Sequence, residues 1–180
     1  MAEGGPSRTR ADASGVTLGV EVVRHDEAWA NAKIGDAELQ RAARAGFAAA
    51  SPQSRGNYEV ALVLTDDAEV RALNRTWRGK DTATNVLSFP ADADVSEPGY
   101  IGDVVLAFGT VQKETREQDI SLQDHVAHLV VHGVLHLLGL DHADDAEAER
   151  MEDLERKALA SLGIADPYGE REAHPSEVSP

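Results

Sequence analysis

Five of the seven histidines of this 180-residue chain lie between His125 and His142. Three of them, His132, His136 and His142, follow the pattern His-x3-His-x5-His. Histidines four residues apart on a helix project from one face, one turn above the other. Gly139 can supply the positive-φ residue that ends the helix, so that the chain turns and brings the third histidine back. The spacing therefore predicts that three imidazoles converge on one metal ion.

A site with three protein ligands is typical of catalytic zinc, because the fourth coordination position stays open for water. Imidazole suits zinc, so we expect one Zn²⁺ per chain, although nickel, copper or iron could use the same ligands. Zinc lowers the pKa of a bound water toward ~7. Metzincin metalloproteases have the same spacing, and a glutamate after their first histidine acts as general base. Gly133 holds that position here, so the chain has the ligands without the protease's base.

Other polar residues flank the three candidate ligands. His128, one turn before the first ligand, could orient a ligand or carry a proton, or could be a partly buried histidine with its own hydrogen bonds. Asp141 could orient an imidazole or act as a base, or could serve in the loop or a helix cap. We expect His125 to be exposed near the start of its helix. The pattern gives His25 and His174 no role.

The elements that must position these residues follow from hydrophobic periodicity and cap residues. Thr65 is the predicted N-cap of the second helix, which runs to about residue 75, and Ser121 is the predicted N-cap of the histidine helix. Gly163 is the predicted end of the last helix. The remaining predicted elements are strands at residues 16–23, 58–64, 85–89 and 101–108, helices at 36–50, 110–118 and 146–162, and a polar loop at 76–83. This order predicts an α+β fold, with a small mixed sheet packed against helices and the zinc-binding helix at the centre.

Composition limits the possible classes of protein. The chain has 17 basic and 32 acidic residues, a net charge of −15, which argues against nucleic-acid binding by overall charge but allows a local basic patch or a protein partner. The acidic residues at 144–155 are typical of a solvated face. The chain has no cysteine, which excludes disulfides and thiolate metal sites and fits a reducing compartment.

The length predicts one domain. We expect it at residues 16–165, between a disordered N-terminal tail at 1–15 and a polar C-terminal tail at 166–180. The sequence lacks the apolar runs that a secretory signal or a membrane span requires. We therefore expect a cytoplasmic protein without membrane contact.

Three sequence blocks resemble the YbeY family of bacterial endoribonucleases and ribosomal-RNA maturation factors. They are residues 132–142, residues 74–81 with 84–90, and residues 102–105. The resemblance covers about residues 58–168. One position departs from the family pattern, because Leu140 stands where the family usually has tyrosine. That change removes a possible phenol contact near the metal and alters no ligand.

The resemblance implies a YbeY-like metallohydrolase domain and a zinc-dependent endoribonuclease specific for single-stranded RNA, acting in 16S rRNA 3′-end maturation and ribosome quality control. It assigns the metal ligands to His132, His136 and His142 and a functional arginine to Arg78. The guanidinium fork of Arg78 suits the phosphoryl oxygens of a transition state, although the residue alone resembles a surface arginine. Lys80 could add charge along the RNA. The implied partners are single-stranded RNA or an rRNA precursor and the small ribosomal subunit with its proteins, with no DNA expected.

Two alternatives stay open. One is a zinc hydrolase of a peptide or amide, against which Gly133 argues. The other is a ribosome assembly factor without catalysis, whose metal only stabilises the fold; the negative charge would suit docking on basic ribosomal proteins. The sequence also leaves open whether water or the RNA 2′-hydroxyl is the nucleophile.

Overall fold

The computed structural model describes residues 15–169. The two predicted tails therefore lie mostly outside the described residues, as does His174. The elements are β1 (Val16–Arg24), α1 (Ala28–Asn31), α2 (Asp36–Ala50), β2 (Gly56–Thr65), α3 (Asp67–Arg78), β3 (Val86–Pro90), β4 (Tyr100–Ala107), α4 (Phe108–Gln118), α5 (Leu122–Leu137) and α6 (Asp145–Ser161). The predicted order is confirmed, with the short helix α1 in addition. Within the described range, no helix is both long enough and apolar enough to cross a bilayer.

The four strands form one mixed sheet in the order β1-β2-β4-β3. β1 and β4 each pair in parallel with β2, whereas β3 pairs antiparallel with β4. Parallel neighbours need long crossover connections, and α2 lies in the connection between β1 and β2. β3 is an edge strand, and its register sets Ser88 opposite Val104. The predicted α+β class with a small mixed sheet is confirmed.

Helix α5 lies at the centre of the packing. It contacts β3 and β4 of the sheet and also α2, α4 and α6. Val130 and Val134 on one side of α5 belong to the main core with Val104 and Leu106 of the sheet. On another side, Val131 and Leu135 pack against Met151 and Leu159 of α6. Two faces of this helix are thus fixed by apolar burial, which holds the histidine face in place.

Of the two predicted N-caps, one is confirmed and the other is wrong. Thr65 is the last residue of β2, and Asp66 caps α3 by accepting a hydrogen bond from the Glu69 N–H at 2.8 Å. The predicted cap at Thr65 is therefore wrong, because the strand continues one residue further and a second suitable side chain follows it. Helix α3 also continues to Arg78, so the predicted loop at 76–83 is shorter. Ser121 caps α5 as predicted.

Candidate metal centre

The imidazoles of His132, His136 and His142 come together at one end of α5. Their ring centroids are 4.5 Å (132 to 136), 4.9 Å (136 to 142) and 5.6 Å (132 to 142) apart. One possible ligand nitrogen from each ring lies within 4.8 Å of the others, and the Nε2 atoms of His132 and His136 are 3.0 Å apart. Two nitrogens bound tetrahedrally to one zinc at about 2.0–2.1 Å would be ~3.4 Å apart. The cluster could therefore hold one metal ion after small ring movements.

A tight turn after α5 brings the third histidine to the other two. The N–H of Gly139 donates to the His136 carbonyl at 3.0 Å, and Gly139 has the predicted positive φ, at 88°. The N–H of His142 then donates to the Asp141 carboxylate at 2.8 Å, and the same oxygen lies 3.2 Å from its Nδ1. Asp141 and His142 are both largely exposed. The cluster therefore opens to solvent on the loop side.

A buried carboxylate from α6 lies against the opposite side of the His132 ring. Glu155 is 1% exposed. Its carboxylate forms a short hydrogen bond with Nδ1 of His132 and lies 3.0 Å from Nε2 of His128. It also accepts a hydrogen bond from the Tyr168 hydroxyl. When Nδ1 carries the proton of its bond with Glu155, the lone pair of His132 is on Nε2, which faces the other rings. A carboxylate bonded to a ligand's second nitrogen is the usual support of a metal-binding histidine.

Charge and burial shift the pKa values of Glu155 and His136. Burial by itself would raise the pKa of Glu155, but hydrogen bonds from His128, His132 and Tyr168 outweigh it and hold that pKa well below its usual range. Burial also lowers the pKa of His136, and the neighbouring histidines lower it further. A lowered pKa favours the neutral form of His136, which is the form that binds a metal ion.

The two histidines before the cluster have different surroundings. His128 shares the Glu155 carboxylate with His132 and lies 6.5 Å from its ring, centroid to centroid. The prediction that His125 is exposed is wrong, because the residue is 7% exposed and its Nε2 lies 2.7 Å from the Glu114 carboxylate. Helix α4, which carries Glu114, packs against α5. Glu114 also accepts a hydrogen bond from the Asn85 side chain at 3.0 Å.

Arg78 is joined to the helix of the cluster through the edge strand. Its Nη2 donates to the Ser88 carbonyl at 3.1 Å, and the Ser88 hydroxyl donates to the Gly133 carbonyl at 3.0 Å. Gly133 directly follows His132. The Arg78 side chain is exposed, so its other N–H groups can reach a ligand.

Gly133 is packed against the sheet. A Cβ at this position would lie 2.5 Å from Cγ1 of Val104 and 3.3 Å from the Ser88 hydroxyl. A real Cβ does not approach another side chain so closely, so even alanine would have to displace Val104. The position of the metzincin base therefore has no room for a glutamate here.

Sequence reasoning missed Glu155 and Tyr168. The prediction that the acidic residues at 144–155 lie on a solvated face is wrong for Glu155. Its spacing indicates burial, since Met151, Glu155 and Leu159 recur every four residues on the apolar face of α6. Tyr168 belongs to the predicted polar tail, yet its ring centroid lies 5.7 Å from that of His128. No sequence pattern indicates that contact.

The mixed sheet, the central helix and the open histidine cluster define an α+β protein with a site that could hold a metal ion. The family model described as Endoribonuclease YbeY matches residues 25–163. Endoribonuclease YbeY of Novosphingobium aromaticivorans is 49% identical over 153 residues, which cover 79% of this chain and 92% of that protein. Endoribonuclease YbeY of Paramagnetospirillum magneticum is 50% identical over 163 residues, 87% of this chain and 99% of that protein. The chain belongs to the YbeY family, as the resemblance predicted.

Proposed function

We propose that this protein is a zinc-dependent endoribonuclease that cuts single-stranded RNA during 16S rRNA 3′-end maturation and ribosome quality control in the cytoplasm. The observation that carries the proposal is the open cluster of three histidines beside a buried carboxylate. Relatives of about half identity bear the name Endoribonuclease YbeY, which supports RNA as the substrate. The small ribosomal subunit and its proteins are the proposed partners.

His132, His136 and His142 would hold the ion, and the donor set of three neutral imidazoles suits zinc. Bound zinc supplies Lewis acidity toward water or a phosphoryl oxygen. Glu155 keeps the Nε2 lone pair of His132 directed to the site. Asp141 contacts the Nδ1 side of His142, and we assign it the same orienting function.

Arg78 recognises the phosphate in this proposal. The bond from its Nη2 to the Ser88 carbonyl restrains the guanidinium plane, and the remaining N–H groups can pair with the non-bridging oxygens. Those oxygens gain negative charge in the transition state, so their pairing strengthens there. His128 shares the carboxylate of Glu155, and we assign it the support of that carboxylate, with proton transfer as a second possible task.

The proposal is tested by zinc content and single-turnover cleavage of a single-stranded RNA. We expect His136→Ala to lose zinc and cleavage together. Arg78→Ala should keep zinc and its melting temperature but cleave about 10²–10³-fold more slowly, and Arg78→Lys should lie between, because it keeps charge without the planar fork. Lys113→Ala, a surface cation on α4, is the control. Equal cleavage by wild type and His136→Ala, with trace nuclease excluded, would remove the nuclease assignment.

The assembly-factor alternative is favoured by the net charge of −15, which suits basic protein partners. It predicts that cells carrying folded, metal-loaded Arg78→Ala still process 16S rRNA. Loss of processing in that strain would mean that catalysis at the site is needed.

A 2′-deoxy substitution at the scissile nucleotide distinguishes water from the RNA 2′-hydroxyl as the nucleophile. It abolishes cleavage only where the 2′-hydroxyl is the nucleophile.

A further inference from the structure

Trp77, on the last turn of α3, is 70% exposed and is the most exposed large hydrophobic side chain among residues 15–169. The other tryptophan, Trp29, is fully buried. A single exposed apolar side chain needs no explanation by itself. The surroundings of Trp77, however, combine two features that favour one class of ligand.

The first feature is local positive charge in an acidic protein. Residues 71–80 contain four cations and no acid, although the whole chain has a net charge of −15. Arg71 is paired with Asp81 at 2.9 Å, and Arg75 also acts on that carboxylate. Within the described part of the chain, Arg78 and Lys80 have no carboxylate within ion-pairing distance. These two cations follow Trp77 in the sequence, one and three residues after it.

The second feature is the connection to the metal cluster. Trp77 directly precedes Arg78, which is bonded to Ser88 on the edge strand, and Ser88 is bonded to the residue after His132. A strand of RNA whose phosphate contacts Arg78 therefore brings a neighbouring nucleotide close to the last turn of α3. Exposed aromatic rings beside cations are how proteins hold single strands, since bases stack on the ring while phosphates pair with the charge.

We propose that Trp77 is a stacking site for an unpaired RNA base, with Lys80 pairing the adjacent phosphate. The position of this nucleotide beside the cleavage site depends on the proposed function, whereas binding of the base does not. Every base has a π-face, so the site accepts all four bases. Duplex bases are already stacked on one another and do not reach the indole. The site therefore selects single-stranded RNA.

Tryptophan fluorescence of the zinc-loaded protein tests the proposal directly. Trp29 is buried, so quenching by a short single-stranded 2′-O-methyl RNA reports on Trp77. We expect Trp77→Ala to weaken RNA binding by about 5- to 150-fold, the loss of one stacked base, and Trp77→Phe to keep most of the affinity without the quenching. Duplex RNA of the same sequence should leave the fluorescence unchanged.

Tyr100→Ala is the matched control. This tyrosine is 44% exposed, but its hydroxyl donates to the Asp103 carboxylate, so its surroundings are acidic. Its replacement should leave RNA affinity unchanged. Absence of quenching in wild type, or equal affinity of Trp77→Ala and wild type, overturns the stacking site even where RNA is cleaved. Quenching in wild type, together with loss of affinity in Trp77→Ala, supports the site even if the zinc-loaded protein cleaves no RNA. That last outcome would remove only the nuclease proposal.

Discussion

Replacement of Glu155 by glutamine tests how the metal centre is held. The carboxylate serves three partners, His128, His132 and the Tyr168 hydroxyl. Glutamine has nearly the same size, but it has no charge and its NH₂ group cannot accept a hydrogen bond. At least one of the three donors therefore loses its acceptor. The imidazole of His132 also loses the negative charge that strengthens it as a ligand.

The size of the effect follows from these contacts. Loss of the group that supports a metal-binding histidine costs about 10- to 100-fold in metal affinity, or about 1.4–2.8 kcal/mol. The protein without metal also loses a buried hydrogen bond to a charged group, worth about 1.5–3 kcal/mol. For a protein of this size, each kcal/mol corresponds to about 2–4 °C in Tm. We therefore expect a Tm lower by about 3–12 °C without metal.

Zinc affinity is measured by competition with a chromophoric chelator near neutral pH, and stability by circular dichroism in EDTA. Glu152→Gln is the matched control, because it makes the same charge change on α6 at an exposed side chain 3.7 Å from Arg156. Its zinc affinity should equal that of wild type. If Glu155→Gln bound zinc as tightly as wild type while its Tm fell, the carboxylate would support the fold only, and our account of His132 would be refuted.

Helix α5 offers two further tests, one of its packing and one of its histidines. Gly133→Ala places a Cβ 2.5 Å from Cγ1 of Val104, so we expect the free energy of unfolding, measured in urea, to fall by about 1–3 kcal/mol. Val104→Ala in the same chain should recover part of this loss. If the effects of the two substitutions were simply additive, the steric clash would be contradicted. Because burial lowers the pKa of His136, the unfolded chain binds more protons between that lowered pKa and about 6.5. The free energy of unfolding without metal should therefore rise as pH increases through this window. The contribution of His136 to zinc affinity should rise only below the window, because the folded imidazole is already neutral above its lowered pKa. A free energy of unfolding that stays constant across the window would refute this explanation.

The clustering of the three candidate ligands could be predicted from the sequence because its geometry is local. Helix periodicity alone puts His132 and His136 on one face, and Gly139 with its positive φ of 88° provides the turn that returns His142. All three lie within one helix and the loop after it. The same is true of the Ser121 cap, which depends only on the next three residues.

The carboxylates that contact the histidines of α5 could not be predicted in the same way, because they come from other elements. Glu155 lies in an acidic helix, and its burial depends on how α6 packs on α5, which neither charge nor local pattern determines. His125 is covered by α4, whose Glu114 meets it only in the folded chain. Both of these predictions assumed that a polar side chain lies in water when no local partner is visible. Buried polar groups are instead paired across elements.

The acidic composition and an RNA substrate are compatible because electrostatic interactions in salt act only over a short distance. At physiological ionic strength the Debye length is about 8 Å, so exposed acids far from the cluster act weakly on a strand bound beside β3. Among residues 15–169, Arg78 and Lys80 are exposed and form no ion pair, so both could pair with phosphates. Two phosphate contacts release few counterions and give little affinity by themselves. In the proposed binding mode, selection of RNA would therefore depend on the metal, on the fork of Arg78 and on base stacking, all of which act at contact distance, and overall charge would contribute little.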